Sequence, residues 1–256
     1  WSSDVCSSDL WSIDTIKKAL DAYRPLPESI NKIVKEYMDA EMTYHSLVLE
    51  GNSISLEETR MVLAGQNIPG KTAKEHYEIL DHKEAIDYVE AYVQSKMPLS
   101  EMFIRDVHKL VMKRTCAQEA GKYRDVEIEI VGSSYTPPEH IDVPELVHGV
   151  VEEYNARIHE LHPIERAAWL HFQIALIHPF ADGNGRTARL LMNYSFLKDS
   201  YVPAIINRFV KEAYLDCLEE ASVFMDMTAF IDFIAEAERD SIRHYLLLVK
   251  ESDALE

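Results

Sequence analysis

Basic residues are in short supply in this chain. It sets 26 Lys and Arg against 44 Asp and Glu, a formal net charge of −18. Phosphate backbones reward basic surfaces, so this balance argues against a nucleic-acid partner. Cysteine is scarce too. Cys6, Cys116 and Cys217 show no metal or disulfide spacing and suggest a reducing compartment. No uninterrupted apolar run reaches the length of a membrane span, and no signal-peptide pattern is visible. The default expectation is a cytoplasmic location with no membrane partner. What is present is a 256-residue chain, 47% hydrophobic, long enough for one large domain or two small ones with a real core.

Helical spacing dominates. Trp11 to Ala22 reads as a short helix, broken by Pro25 and Pro27. Glu28 to Leu49 is a long one, with Ile30, Ile33, Val34, Tyr37, Met38 and Met42 as its apolar stripe. Gly51 and Asn52 suit its C-terminus, and Ser55 with Glu58 forms a capping box for the next helix. Further helices are expected over Thr72–Ser95, Glu101–Lys113, Val143–Ile158, Pro163–Ile177, Arg186–Lys198, Arg208–Ala221 and Asp226–Val249. Strict alternation occurs once, in Val126-Glu127-Ile128-Glu129-Ile130, before a Gly132-Ser133-Ser134 turn and Pro137-Pro138. The fold class expected is all-α with a small β-hairpin. Residues 1–10, Ser/Asp-rich and aperiodic, are expected to lie outside the fold as a leader or artefact. Residues 11–65 are expected to form N-terminal helices and 66–250 the core.

Chemistry concentrates in His178-Pro179-Phe180-Ala181-Asp182-Gly183-Asn184-Gly185-Arg186-Thr187-Ala188-Arg189. Pro179 stops the preceding apolar helix, and the run forms a tight turn that opens the next one. The first N–H groups of a helix lack internal partners and carry partial positive charge. Arg186 and Arg189, three apart, add two guanidiniums on one face. Together they make an anion site suited to linked phosphates. Asp182 fits beside phosphate if a divalent cation, magnesium or manganese, bridges them. His178 is placed to take a proton from an incoming hydroxyl. Glu50 sits at the unfavourable end of the helix dipole, which a guanidinium would offset. His159, His162 and His171 could be drawn as a metal cluster. Yet His162 sits at a helix start and His171 on a buried helix, where a hydrogen-bonded histidine is the commoner case.

The run resembles the Fic-domain signature, His-Pro-Phe-x-Asp-Gly-Asn-Gly-Arg-x-x-Arg, at every fixed position. The resemblance covers roughly Ile33 to Phe233 and implies a mainly helical Fic fold. It implies transfer of AMP from ATP to a Ser, Thr or Tyr hydroxyl of a target protein. His178 is then the base and Asp182 the metal ligand. Gly183, Asn184, Gly185, Arg186, Thr187, Ala188 and Arg189 lie along the nucleotide, with Phe180 anchoring the turn. Relatives that phosphorylate carry Lys at the position of Gly185, so Gly185 favours AMP transfer. The hairpin becomes a flap that holds the target segment by strand addition. Val131, Gly132, Ser133 and Ser134 of the flap contribute to the nucleotide site. Ser46, Glu50 and Gly51 resemble the family's inhibitory motif, in which the glutamate pairs with the second arginine, here Arg189. Tyr214 stands where relatives place an aromatic against the nucleotide, with core packing an equal alternative. Ser222 stands where some relatives carry Asn. Homodimers are common among relatives. Two rival functions are compatible with these residues: removal of AMP from a modified target, or a non-catalytic module binding nucleotide or a partner.

Overall fold

The computed structural model describes residues 7–156 and 160–253, and helices carry nearly all of its regular structure. α1 (Ser7–Asp21) buries Ile13 and Leu20. α2 (Glu28–Leu49) begins after Pro27 and ends in a Schellman motif. There the Asn52 N–H donates to the Leu47 carbonyl and the Gly51 N–H to Val48, each at 3.0 Å. α3 (Leu56–Leu63) and α4 (Ala73–Gln94) both open on capping boxes, Ser55 with Glu58 and Thr72 with Glu75. α5 (Glu101–Val111), capped by Ser100, and α6 (Val143–Ala156) follow. Then come α7 (Pro163–Ile177), α8 (Asn184–Lys198), α9 (Lys211–Phe224) and α10 (Thr228–Asp253).

α7 and α8 form the centre. Both are buried on nearly every side, α7 as a largely apolar helix and α8 although it carries Arg186, Arg189 and Asn193 on one face. α4, α5 and α2 lie against α8, while α6 and α10 cover α7. Phe103 of α5 joins these layers, its ring 3.8 Å from Tyr92 of α4 and 4.8 Å from Tyr194 of α8. A satellite cluster of Leu47, Ile54, Val62 and Ile79 fastens α2 and α3 to α4. This fixes the C-terminal end of α2, and with it Glu50, against the centre. None of the described helices is long and apolar enough to cross a membrane.

Three expectations need correction. Residues 7–10 are not outside the fold: they form the first turn of α1, and Leu10 packs on the core. Residues 1–6 lie outside the described residues, as do 157–159, including the expected helix end at Ile158. The stretch after Asn207 starts as a short 3₁₀ turn, Arg208–Val210, before α9, which runs on to Phe224.

The third correction concerns the hairpin. Ile128 and Ile130 are half-buried while Glu127 and Glu129 are exposed, so the in–out alternation holds over 127–130, but Val126, on the inward register, is exposed. No paired strand exists there or elsewhere among the described residues. The returning arm carries Pro137 and Pro138, which have no N–H to donate to a ladder. Only the tip closes on itself, through the Ser133 N–H to the Ile130 carbonyl at 3.1 Å. The segment is an extended flap, not a hairpin.

Removing the aromatic that joins α4, α5 and α8 tests this packing. Phe103→Ala should cost about 3–5 kcal/mol, read as a lower urea midpoint at unchanged slope. A loss below about 1 kcal/mol would mean the seam collapses around the void.

Candidate active site

The turn between α7 and α8 is built by its own side chains. Pro179 steers His178 away from the helical region, and His178 settles at φ 50°, ψ 59° as the cap of α7. Such a conformation costs a non-glycine residue about 1 kcal/mol, so neighbours must hold it. Asn184 supplies one tie. Its side chain accepts from the Phe180 N–H at 2.9 Å and donates to the Phe180 carbonyl at 2.8 Å. Gly183, at φ 79°, caps α8 where a Cβ would meet Met112 Sδ at 2.9 Å. The first bond within α8 runs from the Thr187 N–H to the Gly183 carbonyl. The N–H groups of Asn184, Gly185 and Arg186 therefore precede it, with no acceptor inside the helix.

Two residues outside the signature run complete the turn. His108 of α5 stacks on Phe180, ring centres 3.6 Å apart. Its Nδ1 accepts from the Gly121 N–H at 3.0 Å, and its Nε2 donates to the Asp182 carbonyl at 2.9 Å. Burial pushes its pKa down to about 4, so it is neutral with this proton arrangement. Arg124 is buried under the flap. It donates to the His178 carbonyl at 2.9 Å and to the carbonyls of Val126 and Pro138. The base of the flap is thus closed by one guanidinium instead of a ladder. No motif marks His108, which meets the turn only through tertiary packing.

His178 has the properties of a base. Its Nδ1 lies 3.2 Å from the Ala175 carbonyl, which can only accept, so the proton sits on Nδ1 and Nε2 carries the lone pair. Burial lowers its pKa below the ordinary histidine value, against the opposing bond to Ala175, and Arg124 adds to the lowering. Asp182 stands open at the mouth, its side chain 65% exposed. Its Oδ1 accepts from the Gly183 N–H at 2.6 Å and faces Arg186 Nη2 at 3.4 Å. Among the described residues no three His, Cys, Asp or Glu gather as a cage. One exposed carboxylate suits a hard cation that takes its other oxygens from phosphate and water.

Arg189 is buried about as deeply as Arg186, its side chain 7% exposed against 5%. Nε donates to Ser46 Oγ and Nη2 to the Ser46 carbonyl, both at 2.9 Å. Nη2 also meets Glu50 Oε1 at 2.6 Å. Burial opposes ionisation of Glu50, yet the Arg189 charge outweighs it and holds the pKa below the ordinary carboxylate value. The Glu50 side chain remains 38% open to solvent. Gly185 makes room for it: a Cβ there would lie 2.5 Å from Glu50 Oε1.

The structure brings His178, Asp182, Arg186, Arg189, Ser46 and Glu50 to one mouth. Thr187 and Ala188 are buried in α8 behind it. At the flap tip Val131 is fully exposed, and Ser133 and Ser134 bind Glu219 of α9, the latter through its N–H at 2.8 Å. Tyr214 is buried and turned into the core, its hydroxyl 2.9 Å from His171 Nε2. Ser222 donates to the Leu218 carbonyl within α9. His162 and His171 serve separate partners. His162 caps α7, accepting from the Ile164 N–H, and His171 serves Tyr214, while His159 lies outside the described residues.

Comparison with known proteins places this geometry. Residues 98–196 match the model of the Fic/DOC family. A protein adenylyltransferase Fic of Nematostella vectensis is 35% identical over 206 residues, 79% of this chain and 48% of that protein. Protein adenylyltransferase fic-1 of Caenorhabditis elegans is 32% identical over 214 residues, 82% of this chain and 41% of that one. The chain thus spans about half the length of the curated relatives it matches. The solved structure of residues 134–508 of C. elegans Fic-1 superposes with a TM-score of 0.85 at 28% identity, covering 97% of this chain and 74% of that one. A Fic-domain signaling protein from Bacteroides thetaiotaomicron shares the fold at TM-score 0.84 and 24% identity, covering 96% of this chain and 97% of that one.

Asn184→Ala strips a buried N–H and a buried carbonyl of Phe180 of their partners. It should lower stability by about 1–3 kcal/mol, measured by urea unfolding. An unchanged midpoint would show that the turn does not depend on this side chain.

Proposed function

Because the chain belongs to the Fic/DOC family through residues 98–196, we propose that it is a protein adenylyltransferase held back by its own Glu50. It transfers AMP from ATP to a Ser, Thr or Tyr hydroxyl of a target protein. The observation that carries this reading is the buried Arg189 at the N-terminal end of α8, already holding an anion, the Glu50 carboxylate, at 2.6 Å. A site that binds a carboxylate with a guanidinium and a helix N-terminus is equally fit for a terminal phosphate. His178, neutral and with Nε2 free, stands beside it to accept the hydroxyl proton.

The remaining roles follow from position. The N–H groups of Asn184, Gly185 and Arg186 face charge that develops at the reacting phosphorus. Arg186 and Arg189 bind the outer phosphates. Asp182 would hold Mg²⁺, which would neutralise phosphate charge when bound. Gly185, without a side chain, leaves the nucleotide free to approach as it leaves Glu50 free now. The flap offers an extended backbone from Val126 to Ile130 that takes part in no ladder, and a target segment can pair with it whatever its side chains.

Glu50 supports a second reading. It is ionised, 38% open, and next to the same loop, so with AMP on a target it could orient a water for removal. Incubation with a pre-adenylylated target, beside ATP labelling, separates the two directions.

Glu50→Gly should raise self-labelling from radioactive ATP by about tenfold or more, the equivalent of losing some 1.4 kcal/mol of blocking contact. His178→Ala in that background should lose about 10²–10⁴-fold, as removal of a general base does. Equal labelling by Glu50→Gly and the parent protein would remove the inhibitory role. The pH profile gives an independent check. The neutral imidazole is the active form, so activity is full above the His178 pKa and lost as pH falls through it. Burial lowers that pKa, and loss of the neighbouring Glu50 charge lowers it further. The acid limb of kcat/KM for Glu50→Gly should therefore lie below about 6.5, the unperturbed value. A limb at or above it would exclude His178 as the titrating base.

A further inference from the structure

The extended flap is fastened near both of its ends by carboxylates. Near its base Glu127 accepts from the His140 N–H at 3.2 Å and lies 2.6 Å from His140 Nδ1 and 3.5 Å from Arg124 Nη1. At its tip Glu219 takes the hydroxyl of Ser133, and from Ser134 the N–H at 2.8 Å and the hydroxyl at 2.6 Å. Between these ties stands Glu129, exposed and bonded to none of the described residues. An exposed glutamate is ordinary in itself. The segment it sits on is not, because its backbone is extended and enters no ladder.

Side chains of an extended segment alternate between its two faces. Ile128 and Ile130 are half-buried and form the inner row; Glu127, Glu129 and the fully exposed Val131 form the outer row. A target segment that pairs with this edge alternates in the same way. Its hydroxyl side chain must turn inward to reach His178. Residues paired across two strands share a face, so the hydroxyl residue pairs with an inner-row residue, Ile128 or Ile130. Glu129 lies between those two. In either register, one immediate neighbour of the hydroxyl residue therefore stands opposite Glu129. An opposite charge there is favourable and a like charge is not. Glu127 already has His140 and Arg124 beside it, whereas Glu129 has its whole charge to offer.

We propose that Glu129 sets the charge preference of the enzyme, and that the occupant of the flap is an extended target segment with Lys or Arg directly next to its hydroxyl residue. The net charge of −18 draws such a segment toward the protein. Glu129 fixes where along the segment the charge is read. The inference rests on the reading of the flap as the target edge given above. It separates recognition from bulk attraction. A basic residue two positions from the hydroxyl turns inward with it, away from Glu129, and gains nothing from this carboxylate.

The test is transfer of labelled AMP by Glu50→Gly to synthetic peptides with a central Ser, Thr or Tyr. Isomers of one composition carry two Lys either directly flanking the hydroxyl residue or two positions from it. The flanked isomer should be labelled up to about fivefold better, the range of a cross-strand charge pair. Replacing Lys by Glu in both isomers should reverse the order. Glu129→Lys in the same background should invert both preferences. Equal labelling of the isomers would overturn the proposal. So would a parent-like preference in Glu129→Lys, which places the reading elsewhere. Self-labelling without labelling of any peptide would overturn it as well, since an extended segment would then not suffice for the flap. A Glu50→Gly protein that labels neither itself nor a peptide would refute the functional reading instead, an outcome distinct from the other three.

Discussion

A guanidinium buried near the N-terminus of a helix must find acceptors, and Arg189 finds them at the end of α2. Two are on Ser46 and one on Glu50. Removing a partner from a buried charge is far more costly than the pair is worth, because the remaining charge cannot be hydrated. The site therefore has a strong tendency to hold some anion. At rest that anion is a carboxylate of the chain itself.

The rest of the architecture keeps this charge in place and lets one anion replace another. The satellite core under α2 and the Schellman end at Gly51 and Asn52 deliver Glu50 to the mouth of α8. The α7–α8 turn is over-determined by Asn184, His108 and Arg124, so His178 keeps its left-handed conformation and its Nδ1 proton. Arg124 does this while also bonding the carbonyls of Val126 and Pro138, which ties His178 to the extended segment. The exposed groups, Asp182 and part of Glu50, are those that must meet ligands from outside. Stability and chemistry are divided by depth.

Much of this is legible in the residues taken in order. Caps, prolines and apolar spacing mark most helices because those signals act within a turn or two of chain. The signature run declares its chemistry because its polar residues fall on consecutive positions. Glu50 at the wrong end of a dipole announces that it wants a cation, and Arg189 is the cation it meets. What stays hidden depends on contacts between distant segments. His108 carries no motif, and the run that ends at Arg124 does not say that folding brings it under the turn. Alternation at Val126–Ile130 reports an in–out pattern but not the absence of a donor-bearing partner strand. The spacing of Tyr214 from the signature does not say which side of α9 faces α7. Ser7–Leu10 has no apolar period, yet its serines and aspartate suit the first turn of a helix.

The claim at the centre is that the Glu50 carboxylate and the terminal phosphate of ATP compete for one place beside Arg189. A crystal structure of Glu50→Gly with a non-hydrolysable ATP analogue and Mg²⁺ tests it directly. The account predicts the third phosphate within hydrogen-bond reach of Arg189, at the position the carboxylate now holds. A nucleotide bound elsewhere, or an empty mouth at saturating analogue, would contradict it.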